Sequence, residues 1–269
     1  YYLIRLQRNK NATKIEPQRF DLASMILLID AIHAVLVFCS AFSFSEKLSE
    51  EQDHQKERYL HALTQKEDIQ KTQKELIMVL SDAIEMRSKE TGGHVRRVIL
   101  MTEFLSEKLH MSKEFIETIR YSAALHDVGK ISIPETILHK PGKLTPEEWE
   151  IMKTHAQKGY ELLAGSDRIV AKMGAIIAKT HHERWDGQGY PEGLAGDDIP
   201  VEGRIMAIVD VVDALLSKRC YKPAWSPEEV KAYLHENAGK QFDPLITHIM
   251  IEHFDKILEI RATEPDEDE

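Results

Sequence analysis

The chain has 269 residues, 42% of them hydrophobic, enough to bury one large core or two small ones and to exclude a disordered polymer. Its formal net charge is −10, with five acidic side chains in the terminal run EPDEDE, which reads as a solvated tail over 261–269. The body is only mildly acidic and lacks the basic face of a nucleic-acid polymer binder, so an anionic ligand would need a local cluster of cations or metal.

The chain opens YYLIRLQRNK without an initiator methionine, and residues 1–45 read as the remnant of an upstream segment. Within it MILLIDAIHAVLVFCSAFSF (25–44) is about as long as a bilayer requires. Asp30 and His33 interrupt the run. The basic residues before it, Arg5, Arg8, Lys10, Lys14 and Arg19, would by the positive-inside rule send the rest of the chain out of the cell. The favoured reading is the last helix of a sensory or receiver-like domain, with a membrane segment as the alternative. Cys39 and Cys220 share no motif spacing, which suits a reducing cytosol or simple core use.

From Glu46 to Ser88 there is no proline or glycine, charges alternate, and Leu60, Leu63, Ile69, Leu76, Val79 and Leu80 recur at helical spacing. This predicts a long connecting helix, most of it outside the domain as residues 46–71. Lys66 and Gln73 break the stripe, so a dimeric coiled coil and a helix folded back on its own domain both fit. Beyond it, Ser112 suits a helix cap, and TPEE (145–148) and SPEE (226–229) each combine a cap, a proline at the first helical position and a capping-box glutamate. A further helix opens at Asp243. No segment alternates as a strand does, which predicts an all-α bundle over about residues 69–260 with one long loop at 181–203.

The chemistry-bearing residues are unevenly persuasive. A lone His126-Asp127 pair is more often a cap or surface pair, and His155 alone reads as an ordinary helix residue. The tandem His181-His182 carries more weight, because neutral imidazole is the commonest metal ligand and two adjacent ones are hard to bury otherwise. Glu90 and His94 stand one helical turn apart. Asp210 and Asp213 share one face of an apolar helix, where a carboxylate is costly unless it is paired or holds a cation; metal ligation by Asp210, with Asp213 as an orienter behind the ligands, fits best.

Taken jointly, HDVGKISIP, HHERWDGQGYP and RIMAIVDVVDALLSKRCYK closely resemble the HD-GYP domain of bacterial signalling phosphodiesterases over about residues 72–260. The resemblance implies an HD-type helical bundle that binds two or three divalent transition-metal ions and hydrolyses cyclic di-GMP to linear pGpG, GMP or both. Iron or manganese is the usual metal, and mixed imidazole and carboxylate ligands also suit zinc, nickel or cobalt. The implied ligands are Glu90, His94, His126, Asp127, His155, His181, His182 and Asp210, with Asp127 shared and Glu90 the mark of a third ion. Lys130, Arg219 and Lys222 would hold substrate phosphates, Lys130 also offsetting charge during the reaction. Cys220 stands where the family commonly has proline. Glu183 and Asp186 are expected to hydrogen-bond ligating imidazoles, and Tyr190 and Trp185 to stack on guanine or pack the loop; Trp149 and Trp225 read as core. A homodimer through the connecting helix, a signalling partner at the Gly189–Pro191 loop, and a cytoplasmic site with a membrane tether as the variant complete the expectations. Two other readings stand: a catalytically weak domain that binds a nucleotide or partner, and a hydrolase of another cyclic dinucleotide such as cyclic GMP-AMP.

Overall fold

The computed structural model describes residues 21–88, 93–218 and 224–265. Ten α-helices are found among them: α1 (Leu22–Ser88), α2 (His94–Lys108), α3 (Lys113–Ser122), α4 (Glu135–Leu138), α5 (Pro146–Ala164), α6 (Ile169–Thr180), α7 (Val201–Leu216), α8 (Pro227–Asn237), α9 (Pro244–Glu252) and α10 (Phe254–Thr263). Short 3-10 turns occupy Ala123–Leu125, Val128–Ser132 and Gly196–Asp198. Extended pairing among the described residues is limited to two isolated bridges, Asp186 with Ala195 and Ala238 with Phe242. The fold is all-α.

The capping signals act as the sequence suggests. Ser112 accepts a bond from the Phe115 amide, and the Thr145–Glu148 and Ser226–Glu229 pairs form reciprocal capping boxes. Asp243 accepts the amides of Leu245 and Ile246. Each satisfies donors that a helix start leaves without partners.

Two compact units divide the chain, Tyr1–Asp68 and Ile69–Glu269. In the first, every side chain described, from residue 21 on, is exposed. It includes a stretch of α1 with mean hydropathy 2.3 and none of it buried, long and apolar enough to cross a membrane.

The second unit is a helical bundle whose axis is α7. Ile205, Met206, Ile208, Val209 and Val212 are fully buried there against Val98, Met101 and Leu105 of α2, Ile119 of α3 and Ile177 of α6. Phe242, Phe254 and Ile257 close the far side. The last turns of α1 join through Ile77 and Met78, which pack on Val95, Ile99 and Ala124. Two glycines permit close approach: a Cβ on Gly129 would overlap the His155 carbonyl, and one on Gly203 would overlap the Thr180 side chain.

One charged network ties α2, α7 and α10. Asp213, fully buried, accepts from Arg97 Nε at 2.7 Å and Nη2 at 2.9 Å, from His94 Nδ1 at 2.9 Å, and from Arg261. Burial opposes ionisation, but these donors hold the Asp213 carboxyl far below the usual carboxylate range. Asp213→Ala strands two guanidinium groups in the core, and losing one partner of a buried ion pair costs about 3–5 kcal/mol. Urea unfolding of metal-free protein is expected to show a loss of that size, with Asp213→Asn losing less because it keeps an acceptor.

Candidate metal centre

The segment that leaves α3 sets the site. The 3-10 turn at Ala123–Leu125 ends at His126, and Asp127 follows before the turn Val128–Ser132. Gly129 lets that second turn lie directly on α5, which carries His155. His181 caps the C-terminus of α6, His182 follows it, His94 opens α2, and Asp210 lies on α7. Five elements thus deliver one side chain or more each.

The imidazoles are aimed by their Nδ1 atoms. His126 Nδ1 donates to the Ala123 carbonyl at 2.9 Å, His155 Nδ1 to Met152 at 2.8 Å, and His181 Nδ1 to Ala178 at 3.0 Å. A carbonyl only accepts, so each Nδ1 carries the proton and each neutral ring presents an Nε2 lone pair. Those lone pairs converge. Ligand atoms of Asp127, His155, His181 and His182 all lie within 4.8 Å of one another, and so do those of a second group, Glu85, His94 and His126.

Asp127 stands between the two groups. Its Oδ2 is 3.3 Å from His126 Nε2, while its Oδ1 is 3.3 Å from His155 Nε2 and 3.8 Å from His181 Nε2. Asp210 Oδ1 adds a carboxylate 3.9 Å from His94 Nε2. Lys130 Nζ sits 2.6 Å from Asp127 Oδ2.

The electrostatics suit a cation. Burial alone would raise the Asp127 pKa, yet Lys130 and then His126 hold it well below the usual range. Burial lowers the His181 pKa to about 3 and, with the neighbouring histidines, pushes His182 well below its ordinary value, so both rings are neutral near pH 7. His126 differs: burial resists its charge, but the Asp127 carboxylate outweighs burial and raises its pKa. A field that draws a proton to that ring also draws a metal ion.

The chain fits a divalent metal site on its own atoms. His126 Nε2, His181 Nε2 and Asp127 Oδ1 are buried and make no hydrogen bond among the described residues, a state that native proteins avoid unless something else satisfies the group. Imidazole nitrogens and carboxylate oxygens are the donor set of first-row divalent metals.

The loop after His182 folds back over it. The Tyr190 amide donates to the His182 carbonyl at 3.2 Å, and the two rings lie 4.7 Å apart. Gly187 adopts φ +76°, open to glycine at little cost. Gly189 serves differently, since a Cβ there would overlap the backbone of Glu183 and Arg184.

Several expectations need correction. Glu183 and Asp186 do not bond the imidazoles. The chain turns sharply after α6, with the Glu183 amide on the Thr180 carbonyl, and the Glu183 carboxylate accepts the amides of Glu192 and Leu194 at 2.8 and 3.1 Å. Asp186 is captured by Arg184 in a two-pronged pair at 3.0 and 2.7 Å and accepts the Gln188 amide. Both brace the loop. Trp149 is not core: it is 46% exposed, and its ring meets Tyr190 edge-on at 6.1 Å. Trp225 is partly buried against the core. Trp185 packs the loop, donating its amide to Gln241 and carrying Arg204 over its ring. Asp213 bonds His94 Nδ1 from behind the ring. Glu90, Arg219 and Lys222 lie outside the described residues, as does Cys220.

Glu85 was missed. It is buried on α1 beside His94 and His126. The signal was its register: Ile77, Ser81, Ile84 and Glu85 share one helix face, which puts a carboxylate in an inward stripe.

Fold and site together define a helical domain of the HD class, and an HD domain profile matches residues 78–246. The chain belongs to the HD domain family, in its HD-GYP branch. It is 47% identical over 199 residues to the 3′3′-cGAMP-specific phosphodiesterase 2 of Vibrio cholerae, covering 74% of this chain and 38% of that protein. It is 46% identical over 177 residues to the cyclic di-GMP phosphodiesterase response regulator RpfG of Xanthomonas campestris, covering 66% and 47%. With a cyclic di-GMP phosphodiesterase of Thermotoga maritima the figures are 41% over 194 residues, 72% and 53%. The chain thus spans about half the length, or less, of these relatives. A crystal structure of a cyclic GMP-AMP specific phosphodiesterase of V. cholerae shares the fold, with TM-score 0.55 and 18% identity over 72% of this chain and 51% of that one.

Because Asp127 offers one oxygen to each group, Asp127→Ala is expected to lose metal from both, whereas His182→Ala keeps the ion beside His94 and His126. Elemental analysis of protein purified without oxygen checks this: near-zero metal for the first variant and a reduced but nonzero count for the second. Full metal retention by Asp127→Ala would contradict the shared-carboxylate geometry.

Proposed function

We propose that the domain is a metal-dependent phosphodiesterase that hydrolyses cyclic di-GMP, acting as the output of a bacterial signalling protein. The observation that carries this reading is the buried Asp127 carboxylate, one oxygen turned toward His126 and the other toward His155 and His181. Two or three divalent ions, iron or manganese by preference, would supply Lewis acidity and charge to a phosphodiester whose alkoxide is a poor leaving group.

The chain's own residues divide the remaining work. His94, His126, Asp127 and Asp210 would hold one ion, and Asp127, His155, His181 and His182 a second. Water oxygen attacks phosphorus, the P–O3′ bond breaks, and the departing oxygen leaves protonated, giving linear pGpG; a second cut of the same kind gives GMP. Lys130, at the rim of the carboxylate, would offset charge on the phosphoryl oxygens as it grows. Arg219 and Lys222 would hold the phosphates at a distance from the metals. Tyr190, backed by Trp149, walls the site at His182 and offers its ring to a base.

The similarity to phosphodiesterases that cleave cyclic di-GMP supports the substrate. A second reading, cyclic GMP-AMP, is favoured by the 47% identity to a 3′3′-cGAMP-specific relative. A binding domain without turnover is disfavoured, since such a domain has no need for a full ligand set. We place the domain in the cytoplasm, where its substrate is made, with α1 as the dimerising element, its apolar stretch as a membrane tether, and the Gly189–Pro191 loop as a surface for a signalling partner.

Purified protein given cyclic di-GMP, cyclic GMP-AMP and a generic phosphodiester separates these readings. Fastest turnover of cyclic di-GMP is expected; preference for cyclic GMP-AMP transfers the assignment, and no turnover by metal-loaded protein rejects it. Lys130→Ala is expected to keep its metals and lose about 10²-fold to 10³-fold in rate, the usual cost of one charge-stabilising donor. An unchanged rate at saturating substrate would leave Lys130 only as the ionic partner of Asp127.

A further inference from the structure

Lys130 is carried by a 3-10 turn of only five residues, Val128–Ser132. Such a turn is a weak frame, because its hydrogen bonds are few and poorly aligned. Here the Lys130 amide donates to the Asp127 carbonyl at 2.9 Å and the Ile133 amide to the Lys130 carbonyl at 3.0 Å. The outer end of the turn faces water, with Ile131 52% exposed and Ser132 exposed beside it. Support from outside the turn is needed if Lys130 Nζ is to stay 2.6 Å from Asp127 Oδ2.

Arg87, in the last turn of α1, supplies that support. One arm of its guanidinium donates to the Lys130 carbonyl and the other to the Ile133 carbonyl, both at 2.7 Å. Bonds of this length from a cation are charge-assisted, and a cation at the C-terminal end of a helical turn meets the carbonyls that such an end leaves without partners. Lys158 adds a contact to the Ser132 carbonyl, but at 3.4 Å and exposed. Arg87 is itself held, since its carbonyl accepts from His139 Nε2. Earlier on α1, Ser81 Oγ donates to the Ala124 carbonyl at 2.7 Å. The helix thus grips the backbone both before and after the His126–Asp127 pair.

Resting on the role proposed above for Lys130, we propose that Arg87 is a positioning residue for the reaction: by holding the Lys130 and Ile133 carbonyls it sets where the Lys130 ammonium stands. Arg87 itself touches neither substrate nor reacting atoms. The seating of the last turns of α1 then reaches the site through two carbonyls. A shift in that seating would change turnover rather than metal content, because Gly129 keeps the start of the turn against α5.

The test is a cycle of Arg87→Ala, Lys130→Ala and the double variant, each counted for Mn²⁺ and assayed at saturating Mn²⁺ on the cyclic dinucleotide that the wild type cleaves fastest. Arg87→Ala is expected to keep its Mn²⁺ and its KM and to lose about 10²-fold in kcat, the order of loss that a misplaced group causes. The double variant is expected to match Lys130→Ala alone, because the arginine acts through a side chain no longer present. A further loss on top of Lys130→Ala would make Arg87 a general structural residue and overturn the proposal. An unchanged rate in Arg87→Ala, or a loss of Mn²⁺ parallel to the loss of rate, also overturns it. An unchanged rate in Lys130→Ala rejects the lysine reading and this proposal with it, whereas loss there with none in Arg87→Ala rejects the Arg87 role alone. Hydrogen exchange of metal-free protein needs no turnover: amides of residues 128–133 are expected to exchange faster by about tenfold or more in Arg87→Ala, and wild-type exchange there overturns the proposal. If Arg87→Ala does not fold, Arg87→Lys keeps the charge and only one of the two bonds. It is expected to show a smaller loss in kcat that vanishes in the Lys130→Ala background, and an equal loss in both backgrounds overturns the proposal.

Discussion

A buried carboxylate shared by two sets of imidazoles organises this domain. Asp127 is out of water, and water is what normally stabilises an ionised acid. Lys130 on one oxygen and the histidines on both sides replace it only in part, since neutral imidazoles have lone pairs of their own to satisfy. Repulsion between those lone pairs would scatter the rings of His94, His126, His155 and His181 if their Nδ1 atoms were not anchored to a carbonyl or to Asp213. A divalent cation would satisfy carboxylate and lone pairs together, and the buried cluster fits one.

The bundle's architecture follows from the need to deliver these side chains from separate helices. The glycine at 129 lets the His126–Asp127 turn rest on α5, and α7 spends its apolar residues on the core while offering Asp210 to the site and Asp213 to the network behind His94. Arg97 and Arg261 converge on Asp213 from two helices, so the His94 ring is oriented by an ion pair that also staples α2 to α10. Stability and ligand placement are thus linked through one aspartate.

The sequence disclosed the fold class through its caps, its lack of alternating segments and the periodicity of α1. The tandem histidines and the inward acids of α7 were legible because burying such groups is costly and therefore informative. Other residues were not legible for physical reasons. Glu183 and Asp186 sit in a loop whose turns decide where each side chain points, and spacing does not encode that. Trp149 follows a helix cap, and only the packing of the returning loop explains its exposed seat against Tyr190. Glu85 was hidden because a charged residue in a charge-rich helix reads as solvated until its register against Ile77 and Ser81 is weighed. His126 and His155 were unremarkable singly and gained meaning only when joined with distant motifs.

The central claim is that Asp127 lies between two ions. Anomalous diffraction from crystals of the anaerobically purified, manganese-loaded domain tests it most directly. The account predicts a peak on each side of the Asp127 carboxylate, about 3.5–4 Å apart as in two-metal sites, one near His94 and His126 and the other near His155, His181 and His182. A single peak remote from Asp127, or no peak at all in fully loaded protein, would contradict it.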